Sequence, residues 1–130
     1  MTVLVGYVPN SYGEAALSAA VAEAVRRQER LLVVNMSRDD VLADAHRAGD
    51  DQLDRVRRDL GELGIESEVR RVEEGSDASD ALLEVAAELD ASVLVIGLRH
   101  RTPVGKLLLG SNAQRILLEA GCPVLAVKPA

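Results

Sequence analysis

Residues 92–127 read SVLVIGLRHRTPVGKLLLGSNAQRILLEAGCPVLAV, and this stretch decides the fold. An apolar run from Val93 to Ile96 stops at Gly97. A basic segment follows, carrying Arg99, His100, Arg101 and Lys106. It closes at Gly110-Ser111-Asn112, where a helical pattern begins. After Gly121 and Pro123 a second apolar run covers Val124 to Val127. The spacing predicts strand, glycine-bounded loop, helix, strand. In an open α/β sheet such a loop lies at the carboxyl edge of parallel strands, where ligands bind. A helix N-terminus presents free backbone N–H groups and a partial positive charge, so phosphate is the natural guest.

The same alternation extends back to the N-terminus. Residues 2–8, TVLVGYV, predict a first, central strand, broken by Pro9 and Asn10. Ser11 stands three residues before Glu14, a capping-box spacing. It predicts a helix to about Gln28, with Leu17, Val21 and Val25 at helical spacing and small residues allowing close packing on the sheet. Residues 31–36, LLVVNM, read as a strand covered on both faces. Residues 37–49 read as a polar connection with a helical turn near Val41 to His46. From about 50 to 63, Leu53, Val56, Leu60 and Leu63 recur at helical intervals, and Gly64 is a stop. Residues 65–73 alternate and carry charge, as an edge strand does. Gly75-Ser76-Asp77 predicts a turn. The helix after it runs to about Leu89, with Leu82, Val85, Ala86 and Leu89 facing inward.

The order βαβαβαβαβ implies an α/β fold, a parallel sheet with helices on both faces and right-handed crossovers. Strand order does not follow from the pattern alone. A chain of 130 residues suits one domain, residues 1–130, large enough to bury roughly two-thirds of its unfolded surface. Aromatic residues make up 2%, two Tyr and no Phe or Trp, so the core is Leu, Val, Ile and Ala. That leaves no aromatic platform for single-stranded nucleic acid. The net charge of −6 opposes broad contact with nucleic acid or anionic lipid. Against it, the local cluster of Arg99, His100, Arg101 and Lys106 suits a small anion; its other reading is a solvated basic loop. The single Cys122 cannot form an internal disulfide and reads as core packing in a reducing compartment. No apolar run approaches a signal peptide or the ~20 residues of a membrane span, so a cytoplasmic location is expected.

Common catalytic patterns are missing. Gly105-Lys106 is followed by Leu107, which breaks the phosphate-loop signature of nucleotide hydrolases. No G-x-G-x-x-G occurs, and Ser111 lacks the G-x-S-x-G elbow. His46 and His100 have no His or Cys beside them, so no metal site is expected. Acidic pairs such as Asp39-Asp40 and Asp50-Asp51 read as loop and helix-start charges.

The spacing Gly97-x2-His100-x9-Gly110-Ser111 resembles the universal stress protein family, whose nucleotide binders carry G-x-x-G-x9-G-[ST] after the fourth strand. The resemblance covers the whole chain in element order and is strongest from Val93 to Val127. It implies a three-layer α/β/α fold with a five-stranded parallel sheet in order 3-2-1-4-5, and commonly a homodimer. It also implies that Gly97, Gly110 and Ser111 hold phosphates, with Asn112 and Ala113 extending the helix N-terminus toward them. Met36 matches a position whose backbone meets adenine in the family's ATP binders.

Two residues depart from the pattern. The second glycine of the motif is His100, and histidine does not share glycine's access to positive φ. Relatives that bind ATP often have an Asp after the first strand, in a stretch like Y-D-G-S. Here that stretch is Tyr7-Val8-Pro9-Asn10, and Val8 stands where the Asp would. Losing such a bond costs roughly 1.5–3 kcal/mol, about one to two decades of affinity. Two functions stay open. One is a regulator binding ATP, another adenine nucleotide or a different phosphorylated small molecule at Gly97, Arg99, His100, Gly110, Ser111 and Asn112, with Val8 and Met36 at the base end and at most slow hydrolysis. The other is a dimeric interaction module of the same family without nucleotide, pairing through residues 123–127.

Overall fold

The computed structural model describes residues 1–36, 43–72, 77–98 and 111–129, with the backbone alone for 43–50. The elements are β1 (Thr2–Tyr7), α1 (Ser11–Arg27), β2 (Arg30–Asn35), α2 (Ala43–Glu62), β3 (Ser67–Arg71), α3 (Ala78–Leu89), β4 (Val93–Gly97), α4 (Ser111–Glu119) and β5 (Val124–Val127). The five strands form one parallel sheet in the order β3-β2-β1-β4-β5, as the resemblance implied.

Period-two alternation divides the core. Val3, Val5 and Tyr7 of β1 point with Leu31, Val33, Val93 and Val95 toward α1 and α2, where Leu53, Val56 and Leu60 meet them. Leu4 points the other way with Leu32, Val34, Leu94 and Ile96, toward Leu82 of α3 and Ile116 of α4. Two helices on each face follow from right-handed crossovers: the chain winds outward from β1 to β3, then returns across the opposite face to β4. Neighbouring β1 and β4 therefore send their connections in opposite directions, and a crevice opens beyond their carboxyl ends.

Local details differ from the sequence expectations. The cap of α1 is Asn10, not Ser11: Asn10 is extended at φ −148°, and its side chain accepts from the Gly13 amide. The Glu14 amide bonds to the Asn10 carbonyl, and the Glu14 carboxylate receives the Tyr7 hydroxyl. The face of α1 on the sheet is Gly13, Ala16, Ala20 and Ala24. Leu17 and Val21 flank that stripe, while Val25 is 62% exposed. Close approach is the reason, because an alanine stripe lets the helix backbone sit nearer the strands than leucine would. The helix expected from about residue 50 begins at Ala43. Leu53, Val56 and Leu60 are buried as expected, but Leu63 lies past the helix end and is 63% exposed. Gly64, at φ +71°, supplies the left-handed stop. The expected turn at Gly75-Ser76 lies outside the described residues, whereas Asp77 caps α3 by accepting from the Asp80 amide.

Candidate functional site

The crevice is framed by the ends of β1, β2 and β4 and by the start of α4. Its floor is set by the unusually close seating of α1. The Asn10 amide donates to the Val8 carbonyl at 2.9 Å, folding the loop back on itself. The Asn10 side-chain oxygen takes the Gly13 amide at 2.9 Å, and its carbonyl takes the Glu14 amide at 2.9 Å. The helix thereby starts directly over Val8. A Cβ at Gly13 would overlap the Val8 carbonyl oxygen and lie 2.7 Å from its carbon.

Gly97 obeys the same constraint. A Cβ there would overlap the Tyr12 carbonyl oxygen and stand 2.7 Å from its carbon. Its lack of a side chain is therefore required by α1 pressing on the end of β4, a reason independent of any phosphate. Beyond it, the Leu98 amide donates to the Val127 carbonyl at 2.7 Å, extending the β4–β5 ladder by one residue. Arg99, His100, Arg101, Lys106 and Gly110 lie outside the described residues.

On the α2 side, Tyr7 is fully buried and carries a polar network. Its hydroxyl donates to Glu14 Oε1 at 2.6 Å. Gln52 Nε2 donates to both, at 3.0 Å to the Tyr7 oxygen and 2.7 Å to the carboxylate. Arg55 completes the set at 2.9 Å from Glu14. Burial first, and then the bond to the Glu14 carboxylate, push the Tyr7 hydroxyl up to about 12. Sequence reasoning passed over this network. The available signal was a tyrosine inside an aliphatic strand, whose polar tip needs a partner once buried.

At the end of β2, the Met36 amide donates to the Tyr7 carbonyl at 2.8 Å. The half-buried Met36 side chain folds back over Gly6, where its sulfur occupies the space a Cβ would take, beside Leu82. Val8 is also half-buried. Facing them across the crevice, α4 begins at the exposed Ser111, with Asn112 half-buried and Ala113 packed on the core. The first amides of any α-helix have no acceptor within it and carry the positive end of its dipole. In α4 that first turn is Ser111, Asn112 and Ala113.

The direction of α4 is held by Arg115. Its guanidinium reaches Asp77 at 3.5 Å, Asp80, Glu119 at 2.6 Å and Ser79 Oγ at 3.3 Å, tying α4 to the first turn of α3. The Ser79 hydroxyl and the Asp80 amide hold the Asp77 carboxyl below the usual range. Cys122 is half-buried against the α3–α4 core, and burial pushes its thiol up. Among the described residues no cluster of His, Cys, Asp and Glu could hold a metal ion, and no helix is long and apolar enough to cross a membrane.

Residues 1–128 match the model of the Universal stress protein family. A universal stress protein of Mycolicibacterium smegmatis is 46% identical over 127 residues, covering 98% of this chain and 97% of the relative. Among solved structures, a universal stress protein from Archaeoglobus fulgidus superposes with a TM-score of 0.82 at 28% identity, covering 98% of each chain. A universal stress protein in complex with cAMP gives a TM-score of 0.71 at 25% identity, covering 100% of this chain and 98% of that one.

Proposed function

The chain belongs to the universal stress protein family, and from that premise we propose that it is a regulatory domain binding a phosphorylated small molecule. ATP, AMP or a related compound would sit across the carboxyl ends of β1 and β4. Its phosphates would rest on the amides of Ser111 and Asn112, with Gly97, Arg99, His100 and Gly110 completing the loop. Val8 and Met36 would line the base end. The observation carrying this reading is the start of α4 at the switch point, with its donors directed along the helix axis beside the β4 end. A relative that holds cAMP at full coverage of this chain supports it. Any hydrolysis would be slow, since the sequence shows no common catalytic motif.

A second reading is a homodimeric interaction module. It is favoured by β5, an edge strand whose Leu125 is 36% exposed. Thermal unfolding with millimolar ATP, AMP, cAMP and sulfate separates the two. A ligand at 100 times its dissociation constant adds about 2.7 kcal/mol. We expect a rise in melting temperature with at least one of them, abolished by Gly110→Val. The absence of a shift with all four leaves the interaction module.

A further inference from the structure

Helix α4 is seated lightly on the core and tied firmly to α3. Of its nine residues Ile116 alone is buried, with half-buried Ala113 also touching the core. Apolar contact of that kind is non-directional. It fixes where the helix lies but leaves its tilt loosely set. Arg115, the residue beside Ile116, supplies the direction. Its Nε donates to Glu119 at 2.6 Å within α4. The rest of the guanidinium crosses to α3, reaching Asp80, Asp77 at 3.5 Å and the Ser79 hydroxyl at 3.3 Å.

The receiving end is ordered without Arg115. Asp77 caps α3 by accepting the Asp80 amide at 3.0 Å and the Ser79 hydroxyl at 2.5 Å. Ser79, Leu82 and Ala86 of that helix are buried, so α3 is the better seated of the two. A planar guanidinium bonds in a fixed fork and transmits orientation as a lone ammonium does not. Ser111 precedes Arg115 by about 6 Å along the helix axis. Backbone amides point along that axis, and their hydrogen bonds weaken steeply below about 120°. A tilt of α4 therefore misaims every amide of its first turn together.

Resting on the phosphate-binding reading above, we infer that Arg115 is a positioning residue for the ligand, aiming the first turn of α4 by locking it to the capped start of α3. Asp80 separates this role from a simple charge effect. Its carboxylate repels an anion bound nearby, so by charge alone its removal tightens binding. Acting as the anchor of Arg115, its removal weakens binding. Calorimetric titration of the intact protein with ATP, AMP and cAMP tests this, at a temperature where each variant is folded. For any of the three that binds the wild type, we expect Arg115→Ala to weaken it about tenfold and Asp80→Ala about threefold. The double variant should lose no more than Arg115→Ala alone, because both changes break one link. Tighter binding by Asp80→Ala would overturn the inference while leaving the phosphate site standing. So would unchanged affinity in both single variants with only the melting temperature lowered. A wild type that binds none of the three overturns the phosphate reading and the inference together.

Discussion

Gly97 shows why a motif residue needs a physical reason of its own. Its spacing to Gly110-Ser111 resembles that of a phosphate loop, yet the atom it makes room for is the Tyr12 carbonyl oxygen. Gly97→Ala should therefore destabilise the protein by about 1–3 kcal/mol without any ligand present, because backbone cannot yield as a flexible side chain would. Urea denaturation of the free protein checks it; an unchanged midpoint would refute the close-packing account. Tyr7 sets a second test. Its hydroxyl meets Glu14, which is 41% exposed, so Tyr7→Phe should cost roughly 1–2 kcal/mol, toward the lower end for a bond to a charged group. The folded state favours the neutral phenol up to about pH 12, whereas an unfolded tyrosine ionises near ~10. This contribution is complete below the unfolded value and is lost as pH rises from there through the folded one. The stability gap between wild type and Tyr7→Phe should accordingly shrink across that window. A gap that stays constant with pH would mean the hydroxyl ionises normally.

At the scale of elements, the helix ends carry the testable chemistry. Asn10 caps α1 where its neighbour Ser11 had the expected spacing. Asn10→Ala should lower stability by about 1 kcal/mol, since it removes the acceptor for the Gly13 amide. The C-cap of the same helix, Gln28, is left-handed at φ 56° and ψ 45°. Glycine adopts that conformation without a Cβ penalty, so Gln28→Gly should raise stability by about 1 kcal/mol, read as a higher melting temperature. The helical period was visible in α1 before any coordinates, but the face that it buries was not. Leu17, Val21 and Val25 look like a core stripe, whereas the sheet takes Gly13, Ala16, Ala20 and Ala24. Hydrophobic size is a local property; which face is seated depends on how near two backbones come, and that is set by strands distant in sequence.

For the whole molecule, the two edges of the sheet are unlike. β3 ends the sheet with Glu68, Arg70 and Arg71, and Glu68 pairs with Arg70 at 2.7 Å on its own strand. Charge of this kind discourages strand addition. β5 ends it with Val124, Leu125, Ala126 and Val127, without a charge. If β5 joins two copies, Leu125→Lys should shift the protein to monomer in sedimentation or light scattering while its melting curve stays cooperative. A wild type that is monomeric at high concentration would remove β5 from that role. The crevice too belongs to this scale, because neither β1 nor β4 forms it alone. It arises where two neighbouring strands dispatch their crossovers in opposite directions.

The amino-acid sequence by itself determined the alternation of strands and helices, the aliphatic core and the family. Runs such as Leu31 to Val34 and Val93 to Ile96 declare buried strands through composition alone, and the Gly97 to Ser111 spacing carries the resemblance. Tertiary structure decided what these residues touch. It made Asn10 the cap, turned the alanines of α1 inward, gave Gly97 to Tyr12 and joined Tyr7 to Glu14 and Gln52. Periodicity and spacing are properties of neighbours along the chain, whereas the fit of one backbone against another is a property of space. Which groups at the crevice stay available to a ligand is settled only by that second fit.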